Sequence, residues 1–409
     1  MLPKIPSNPC DPGYSDPPLS ARILETPAQL LQYRSLWTSW GGTRDSDLDF
    51  FLYISGMFPN VLRPHVVVAY HGDTPEGMLI GRLEQRPVPI EFGYLRLATP
   101  PLRVLDFVSG ALRGAASPES TTVLVHSVLK SLRDDNIDLA IFENLPLDSH
   151  LYRAIRSVAG LLDSGVPPEH RTHRCLRPPP SSDALYSLIS TRHRQNYRRK
   201  ARKLLKDFSG DVRIERYTQT SDALFRQIES VAQTTYHRQF GLGFRDTPDM
   251  RRRCELEASK GWLRISMLYV AGKPCAYLIA SAYNRTLYGD HMGYDPAYAA
   301  YSPGMYLLLN TLGDLCDHKW NDDITRIDFG FGDAEYKSAL SNCSYEDCVG
   351  QIYGHTLRGI CVNLCSTPLL LANRSLRWLL IQTNLLQKAK HLWRDRVTRQ
   401  ERPVACGGG

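Results

Sequence analysis

The sequence lacks the motifs of several common enzyme classes. It has no G-x-S-x-G nucleophile elbow, no G-x-x-x-x-G-K-[ST] phosphate loop, no H-E-x-x-H metal motif and no nicotinamide-binding fingerprint. It also lacks a long apolar run, because Asn373, Arg374 and Arg377 interrupt the most apolar late stretch, Leu364–Ile381. A membrane-spanning helix needs about 20 mostly apolar residues. We therefore expect no transmembrane segment.

The cysteines are too dispersed for a disulfide-stapled domain. Ten of them are scattered between positions 10 and 406, which favours reduced thiols and a cytoplasmic protein. The pairs Cys343/Cys348 and Cys361/Cys365 depart from the usual C-x2-C spacing of zinc sites, so we predict no metal site. The first twenty residues are proline-rich and polar, unlike a secretory signal, and predict a flexible leader.

Length and charge suggest two domains and an anionic partner. A chain of 409 residues exceeds what one hydrophobic core usually organises. The net charge is +7, yet residues 187–213 alone carry nine Lys or Arg against two Asp, and residues 356–409 carry nine against one Asp and one Glu. Two basic segments on an otherwise acidic body suggest a phosphorylated cofactor, nucleic acid or an anionic membrane, although solvated helix faces would give the same pattern.

The order of predicted elements in the first half recurs in the second. In each half a strand and two helical stretches precede three meandering strands, a helix, a further strand and a short helix. The predicted strands are 21–25, 65–70, 77–83, 92–98 and 137–142, then 212–217, 263–270, 275–283, 286–294 and 325–329. The predicted helices are 27–40, 47–57, 121–133 and one from about 147, then 221–238, 248–259, 303–318 and 334–340. The pattern predicts a mixed α/β sheet that occurs twice.

A proline-rich break, Leu176–Asp183, separates the halves. We predict a leader at 1–20, an N-terminal domain at 21–180, a C-terminal domain at 181–355 and a basic helical tail at 356–409. An amphipathic basic helix begins at Thr191. The tail also has a helical apolar stripe, and either docks on the body or lies on an anionic membrane.

The second half resembles a known family. HRQNYRRKARKL, GDHMGYDPAYAAYSPGMYLLL and IDFGFGDAEYK occur in this order, and they resemble the GNAT-like acetyltransferase domain of the CelD/BcsL type, associated with cellulose biosynthesis. The resemblance covers about residues 184–354. That family is related to the Fem-like transferases, which carry two GNAT-like folds in tandem, in agreement with the repeat.

The resemblance implies transfer of an acyl or aminoacyl group to an amine or hydroxyl, often in making cell-envelope polymers. We expect no tightly bound cofactor, with acyl-CoA or a carrier thioester as donor. The sequence departs from the Gly-rich pyrophosphate loop of standard GNAT enzymes, because Tyr301–Gly304 stands at the corresponding place. The first half lacks the second half's motifs, and we expect it to be a scaffold or to bind the acceptor.

The donor is expected at the start of the helix that begins near Pro303. Ser302 is a good N-cap, Pro303 fits the first helical position and Gly304 leaves the backbone uncovered, so free N–H groups would suit a phosphate or an oxyanion. An ordinary capped helix would show the same residues. We predict donor contacts from Ser302, Gly304 and Met305.

The basic helix is expected to extend the donor site. Arg194, Arg198 and Arg202 recur every four residues and could form a ridge along a phosphate-bearing ligand.

Four residues are candidates for catalysis. Asp290 and His291 are adjacent on a predicted strand and should face opposite sides of the sheet, so only one of them can face the substrate, as proton acceptor or as orienting group. Asp328 ends the next strand, followed by Gly330. The resemblance nominates Lys337 for binding negative charge of the donor or the transition state. Ordinary structural hydrogen bonds and a surface ion pair are the alternatives.

Two other functions remain open at this point. One is a Fem-like transferase that uses aminoacyl-tRNA, for which RNA contact through the basic helix would be needed. The other is a non-catalytic pair of domains that binds an anionic polymer or envelope protein. The leading prediction is acyl transfer to an amine-bearing precursor of exopolysaccharide or cell envelope.

Overall fold

The computed structural model describes residues 18–92, 95–114, 116–158, 169–235, 238, 243–320, 323–331 and 334–382. Fourteen strands lie in this part of the chain. They are β1 (Leu19–Leu24), β2 (Val61–His71), β3 (Thr74–Arg86), β4 (Ile90–Phe92), β5 (Leu95–Leu97), β6 (Leu102–Gly114), β7 (Leu139–Pro146), β8 (Arg171–Leu176), β9 (Val212–Tyr217), β10 (Leu263–Val270), β11 (Lys273–Tyr283), β12 (Thr286–Tyr294), β13 (Arg326–Phe331) and β14 (Cys343–Tyr353).

Twelve α-helices are described. They are α1 (Pro27–Gln32), α2 (Arg34–Ser39), α3 (Leu48–Met57), α4 (Pro118–Asp134), α5 (His150–Val158), α6 (Ser182–Leu188), α7 (Thr191–Asp207), α8 (Asp222–Thr234), α9 (Pro248–Ser259), α10 (Pro303–Cys316), α11 (Glu335–Leu340) and α12 (Leu357–Gln382). Many begin where the sequence supplies a cap: the side chains of Ser117, Ser190 and Ser221 accept N–H bonds from the first turns of α4, α7 and α8.

Twelve of the strands form one continuous sheet across both halves. Its order is β1-β2-β3-β6-β7-β14-β8-β13-β12-β11-β10-β9. The last strand of each half crosses to the other half: β14 pairs with β7 of the first half, and β8 pairs with β13 of the second. The two crossing strands also pair with each other. The sheet therefore runs through the predicted domain limit at residue 180, and the domain limits stay a prediction.

Helices cover the sheet on both faces. In the first half α4 and α5 pack on a core that includes Val67, Phe107 and Phe142. In the second half α6, α7 and α10 cover one face. The core there includes Leu278 of β11 and Leu307 and Leu312 of α10. Helices α8 and α9 cover the other face. There Phe225 and Ile228 of α8 pack with the strand residues Met267, Tyr277 and Ile279. The predicted mixed α/β fold and the sheet flanked by helices are confirmed, and the tail is helical from Leu357 to Gln382.

One predicted strand is wrong, and three strands of the large sheet were not predicted. Residues 92–98 do not form the third meander strand; they contribute to the short β4–β5 hairpin, and the third strand is β6, which pairs with β3 and β7. The unpredicted strands are β6 and the two that cross between the halves, β8 and β14. The predicted helix at 27–40 is two helices separated at Tyr33.

Helix α12 buries one side and exposes another. Val362 and Ser366 are buried, whereas Leu357, Leu364 and Leu371 are 85%, 67% and 51% exposed. Among the residues that the structure describes, no helix combines the length and apolarity needed to cross a bilayer. The rest of the predicted tail, from residue 383, lies outside the described residues.

Candidate functional site

Strands β12 and β13 separate at the centre of the second half. They are parallel and pair only from Thr286/Arg326 to Tyr288/Asp328, where their pairing ends in the described part of the chain. Beyond that point β12 continues beside β11 as far as Tyr294, while β13 pairs with β8. The separation leaves a gap between the strands, with backbone groups along both edges that lack a partner across it.

A buried ion cluster lies beside this gap and joins the two halves. The carboxylate of Asp290 on β12 accepts hydrogen bonds from Arg44 Nη1 at 2.7 and 2.9 Å, and it lies 3.0 Å from Arg253 Nη2 on α9. Glu257 accepts from Arg253 Nε at 3.1 Å and from Ser281 Oγ at 2.7 Å. Burial opposes ionisation of Asp290, but the charges of Arg44 and Arg253 outweigh it and hold its pKa below the usual range.

Asp290 and His291 lie on the same face of the sheet, so the expectation of opposite faces is wrong. A β-bulge shifts the β11–β12 register between Ile279 and Ala280, which leaves Asp290 as the extra residue. His291 pairs with Ile279 and contacts the ring of Phe244 with a centroid separation of 6.2 Å, on the α8–α9 side. Burial lowers the pKa of His291.

A second buried cluster surrounds Asp328 at the end of the paired segment. Imidazole Nε2 of His173 lies 2.6 Å from Asp328 Oδ1, and Nδ1 lies 2.8 Å from Asp347 Oδ2. Burial alone would lower the pKa of His173, but the two carboxylates raise it to about 9, so the ring carries two protons at neutral pH. Tyr345 stacks on the ring at 4.6 Å, and the N–H of Gly330 donates to Asp328. The sequence predicted Asp328 as a site residue but did not suggest its bond to His173.

Three potential metal-ligating atoms also meet here. Ligand atoms of His173, Cys175 and Asp328 lie within 4.8 Å of one another. Cys175 Sγ accepts a hydrogen bond from Arg326 Nη2 at 2.9 Å, and burial raises the pKa of the thiol to about 11. A protonated thiol beside a guanidinium is a poor metal ligand, and both nitrogens of the imidazole already donate to carboxylates. These hydrogen bonds account for the cluster without a metal ion.

Lys337 lies on α11, near Asp328. The side chain is partly buried, and this burial lowers its pKa, whereas the charge of Asp328 opposes the shift. The helix follows β13 closely and packs against β8. The structure thus brings Lys337 and Asp328 together, on the opposite side of the gap from Asp290.

The start of α10 differs from the predicted N-cap. Ser302 has φ 51° and ψ 56°, a left-handed conformation, and its side chain makes no capping bond. Its hydroxyl instead accepts a hydrogen bond from Lys200 Nζ on α7 at 2.7 Å. Gly304 is buried rather than uncovered. The ring of Tyr294 packs on it, and a Cβ at this position would lie 3.2 Å from that ring. Pro303 does occupy the first helical turn, as predicted.

A small cavity of about 50 Å³ lies between α7 and α10. It is lined by Arg198, Lys200, Ser302 and Met305, together with aromatic side chains that include Tyr186 and Tyr301. Arg198 lies over the ring of Tyr186, 5.5 Å from its centroid. Two of the three predicted donor residues of α10 are therefore beside the basic helix.

The three arginines of the predicted ridge have different surroundings. Only Arg198 lines this cavity. Arg202 is exposed and donates to the carbonyl oxygen of Arg198 at 3.4 Å, while Arg194 is half-buried near the start of α7. The ridge as a phosphate site stays a prediction.

A larger cleft of about 530 Å³ opens between the halves, on the face that carries Asp290. Its lining includes Asp45, Arg82, Asp106, Glu143 and Arg253. Asp45 follows Arg44 in the chain, and Arg253 binds Asp290, so the cleft adjoins the ion cluster beside the gap.

Several of these residues were not predicted from the sequence. Lys200 is one of several basic residues on α7. Its hydrogen bond to Ser302 distinguishes it from the neighbouring Lys and Arg residues, and this contact is visible only in the folded structure. His173 and Arg44 belong to the first half, far along the chain from the motifs that indicated the site. Glu143 follows a predicted strand, but no pattern indicated a cleft there.

Part of the second half matches a known protein family. Residues 191–338 match the acetyltransferase (GNAT) domain family, a segment that begins at α7 and ends within α11. No curated protein matches the chain by sequence. This segment is thus similar to a GNAT-type acetyltransferase domain, and such domains typically use acyl-CoA as a co-substrate.

Several solved structures are similar in shape at low sequence identity. FemX is 9% identical with a TM-score of 0.49, over 74% of this chain and 90% of its own. L-PGS from Bacillus licheniformis is 11% identical with a TM-score of 0.47, over 83% and 95%. A tandem GNAT protein from the clavulanic acid biosynthesis pathway is 12% identical with a TM-score of 0.45, over 82% and 99%.

Proposed function

We propose that the chain is a cytoplasmic acyltransferase that moves an acyl group from acyl-CoA or a carrier thioester to an amine. The observation that carries this proposal is the gap between β12 and β13, which lies beside the start of α10 within the segment that matches the GNAT domain. The acceptor would be an amine-bearing precursor of exopolysaccharide or cell envelope. A hydroxyl acceptor would use the same geometry.

The donor would bind with its phosphates at the start of α10 and on α7. Backbone N–H groups of the first helical turn and the helix dipole favour negative charge. Lys200 and Arg198 place two further positive charges there. The thioester arm would then enter the gap between the strands, towards Asp328 and Lys337.

The chemistry needs no covalent enzyme intermediate. The acceptor amine loses a proton to become neutral, and its nitrogen attacks the thioester carbonyl carbon. Backbone N–H groups on the separated edges of β12 and β13 would polarise the carbonyl oxygen. The C–N bond forms and the C–S bond breaks, the nitrogen releases its extra proton, and the thiolate takes up a proton to leave as a thiol.

The predicted catalytic residues would have different roles. Lys337 is suited to stabilise negative charge at the gap, and Asp328 positions Gly330 and His173. Both carboxylate oxygens of Asp290 are engaged by arginines, which suits a positioning role on β12. His291 lies on the cleft side and is kept neutral by burial, so it could accept a proton.

Binding of the donor tests this proposal directly. We expect acetyl-CoA or a longer acyl-CoA to raise the melting temperature of the protein, since a ligand of the native state stabilises it. Lys200→Met should weaken binding about tenfold, because a charge-assisted contact contributes roughly 1.5 to 3 kcal/mol. The control is Lys130→Met, which removes an exposed lysine on α4 of the first half.

Lys337→Met separates binding from catalysis. If Lys337 stabilises the transition state, this variant keeps the acyl-CoA shift and loses turnover. Absence of any acyl-CoA shift in the wild type would contradict acyl-CoA as the donor.

A second enzyme function draws on the exposed basic surface of α7. Arg198, Arg199, Arg202, Lys203 and Lys206 are all exposed. An aminoacyl-tRNA donor would bind such a surface with strong salt dependence. A protein that binds tRNA in this way but not acyl-CoA would support the Fem-like alternative, and binding without any transfer would support a non-catalytic role.

A further inference from the structure

The large cleft combines an apolar wall with a charged floor. The wall comes mainly from α3 of the first half, with Phe50, Ile54 and Met57, and from Met250 on α9 of the second. The floor comes from β3, β6 and β7, with Arg82, Asp106 and Glu143. A volume of about 530 Å³ is in the range of sites that bind small molecules or the end group of a polymer chain.

The positive charges of the cleft are already neutralised. Arg82 binds Glu84 through Nε at 2.5 Å and Asp106 through Nη2 at 2.9 Å. Arg253 binds Glu257 and Asp290. An anionic ligand would have to compete with these carboxylates for both guanidinium groups.

Glu143 differs from the other acidic residues that line the cleft. Asp106 is paired with Arg82, Asp45 lies 3.3 Å from Arg44, and Asp249 lies 2.7 Å from Arg252. Among the described residues, Glu143 forms no ion pair within 4.0 Å and no hydrogen bond through its side chain. Burial and the neighbouring charge of Asp106 raise the pKa of Glu143, and the charges of Arg171, Arg86 and Arg82 oppose this shift without reversing it.

We propose that this cleft binds the acceptor through a protonated amine held by Glu143, with an adjoining apolar portion packed against Phe50, Met57 and Met250. A cation is the ligand group that would complete the partners of a half-buried carboxylate and offset the excess of acidic side chains. The acceptor is therefore an amphipathic amine. This inference rests on the proposed function only for the step that follows binding.

The cleft is placed to deliver an amine to the gap. Arg253 lines the cleft and binds Asp290 on β12, two residues beyond the end of the β12–β13 pairing. Asp45 lines it as well, and its neighbour Arg44 lies 5.3 Å from the ring centroid of Tyr288, the last paired residue. An amine that leaves Glu143 would pass these side chains on its way to the thioester.

Matched ligands test the inference on the full chain without any donor. Calorimetric titration would compare n-octylamine, which is protonated at neutral pH, with n-octanol and octanoate. We expect octylamine to bind at least about tenfold more tightly than either, since only the protonated amine can form a charge-assisted hydrogen bond with the carboxylate of Glu143. Equal affinity for octylamine and octanol would overturn the role of the carboxylate.

Two variants locate the binding site. Glu143→Gln keeps the shape of the side chain and should reduce octylamine affinity about tenfold while leaving octanol unchanged. Glu119→Gln, at an exposed position in the first turn of α4, is the matched control and should bind like the wild type. Unchanged octylamine binding in Glu143→Gln would place the amine elsewhere. If that variant does not fold, the comparison of octylamine with octanol on the wild type still decides.

The outcome is independent of the donor test. Octylamine binding that depends on Glu143, in a protein that does not bind acyl-CoA, would support the cleft and contradict acyl-CoA as the donor. Acyl-CoA binding without a preference for octylamine would support the donor site and overturn the amine cleft.

Discussion

At the scale of single residues, buried charge is concentrated where the two halves meet. His173 from β8 lies between Asp328 of β13 and Asp347 of β14, and these three residues are on strands that the crossing brings together. Buried charges are tolerated only when they are paired and hydrogen-bonded. The cluster therefore links proton binding to the folded state.

The ionisation of His173 predicts how stability depends on pH. The folded pKa of about 9 lies above the ordinary value of 6.5, so the stabilisation is fully present below pH 6.5 and is lost as pH rises through 9. The contribution is on the order of 3 kcal/mol, from the difference between the two pKa values. We expect the unfolding free energy of the wild type, from urea denaturation, to fall between pH 6.5 and pH 9.5 by more than that of His173→Gln.

His126→Gln provides the control for this comparison. His126 is exposed on α4, and its replacement should leave the pH profile of the wild type unchanged. Profiles of equal slope for the wild type and His173→Gln would show that His173 does not bind its second proton in the folded state as expected.

At the scale of elements, α12 was predicted as a helix but its exposed side could not be assigned from the sequence. Its buried side contains Val362 and Ser366, and Ser366 Oγ lies 3.1 Å from Tyr353 Oη on β14. The exposed side is apolar over several turns, with Leu357, Ile360, Leu364 and Leu371. The helix thus docks on the body and still presents an apolar surface.

The apolar side of α12 and the basic composition of residues 356–409 predict peripheral binding to anionic membranes. We expect the protein to sediment with phosphatidylcholine vesicles that contain phosphatidylglycerol, and much less with phosphatidylcholine alone, because basic segments are attracted to anionic lipid. Replacing Leu364 and Leu371 together by Ser should weaken binding at least about tenfold, since burying one Leu side chain contributes about 1.5 to 3 kcal/mol.

Leu62→Ser is the matched control for α12. Leu62 is 48% exposed on β2, so this change also removes a surface leucine but lies outside the helix. Equal sedimentation of the wild type and the double α12 variant would leave the exposed side of α12 without a role at membranes.

At the scale of the whole molecule, the crossing strands make one sheet from two similar halves. Because β14 lies between β7 and β8, neither half completes its sheet alone. Arg44 of the first half joins the halves on one face of this sheet through Asp290. We expect the two halves to unfold together.

Arg44→Met tests this coupling. Removal of one member of a buried ion cluster costs about 3 to 5 kcal/mol, because the remaining carboxylates lose their partner. We expect amide hydrogen exchange in the outer strands β2 and β10 to show the same loss of protection, since both belong to one cooperative unit. Arg34→Met, which removes an exposed ion pair with Asp49, should cost less than about 1 kcal/mol. Loss of protection in only one half would show that the halves unfold separately.

The sequence by itself determined the repeated order of strands and helices, the amphipathic basic helix and the motifs around Ser302 and Asp328. The order of elements and the basic helix follow from hydrophobic periodicity and turn residues, which act over a few positions of the chain, whereas the motifs were found by resemblance to a family. Periodicity misplaced the third meander strand, because residues 92–98 and 102–114 both contain alternating apolar residues and only pairing with β3 distinguishes them.

Only the tertiary structure decided which residues meet. The bulge that turns Asp290 and His291 to one face depends on the register with β11, and the partners of Asp328 and Ser302 come from β8 and α7. The crossing of β8 and β14 and the cleft at Glu143 depend on how the two halves pack. Contacts between residues far apart in the chain leave no local periodic pattern, since they are selected by the burial and hydrogen bonding of the whole sheet.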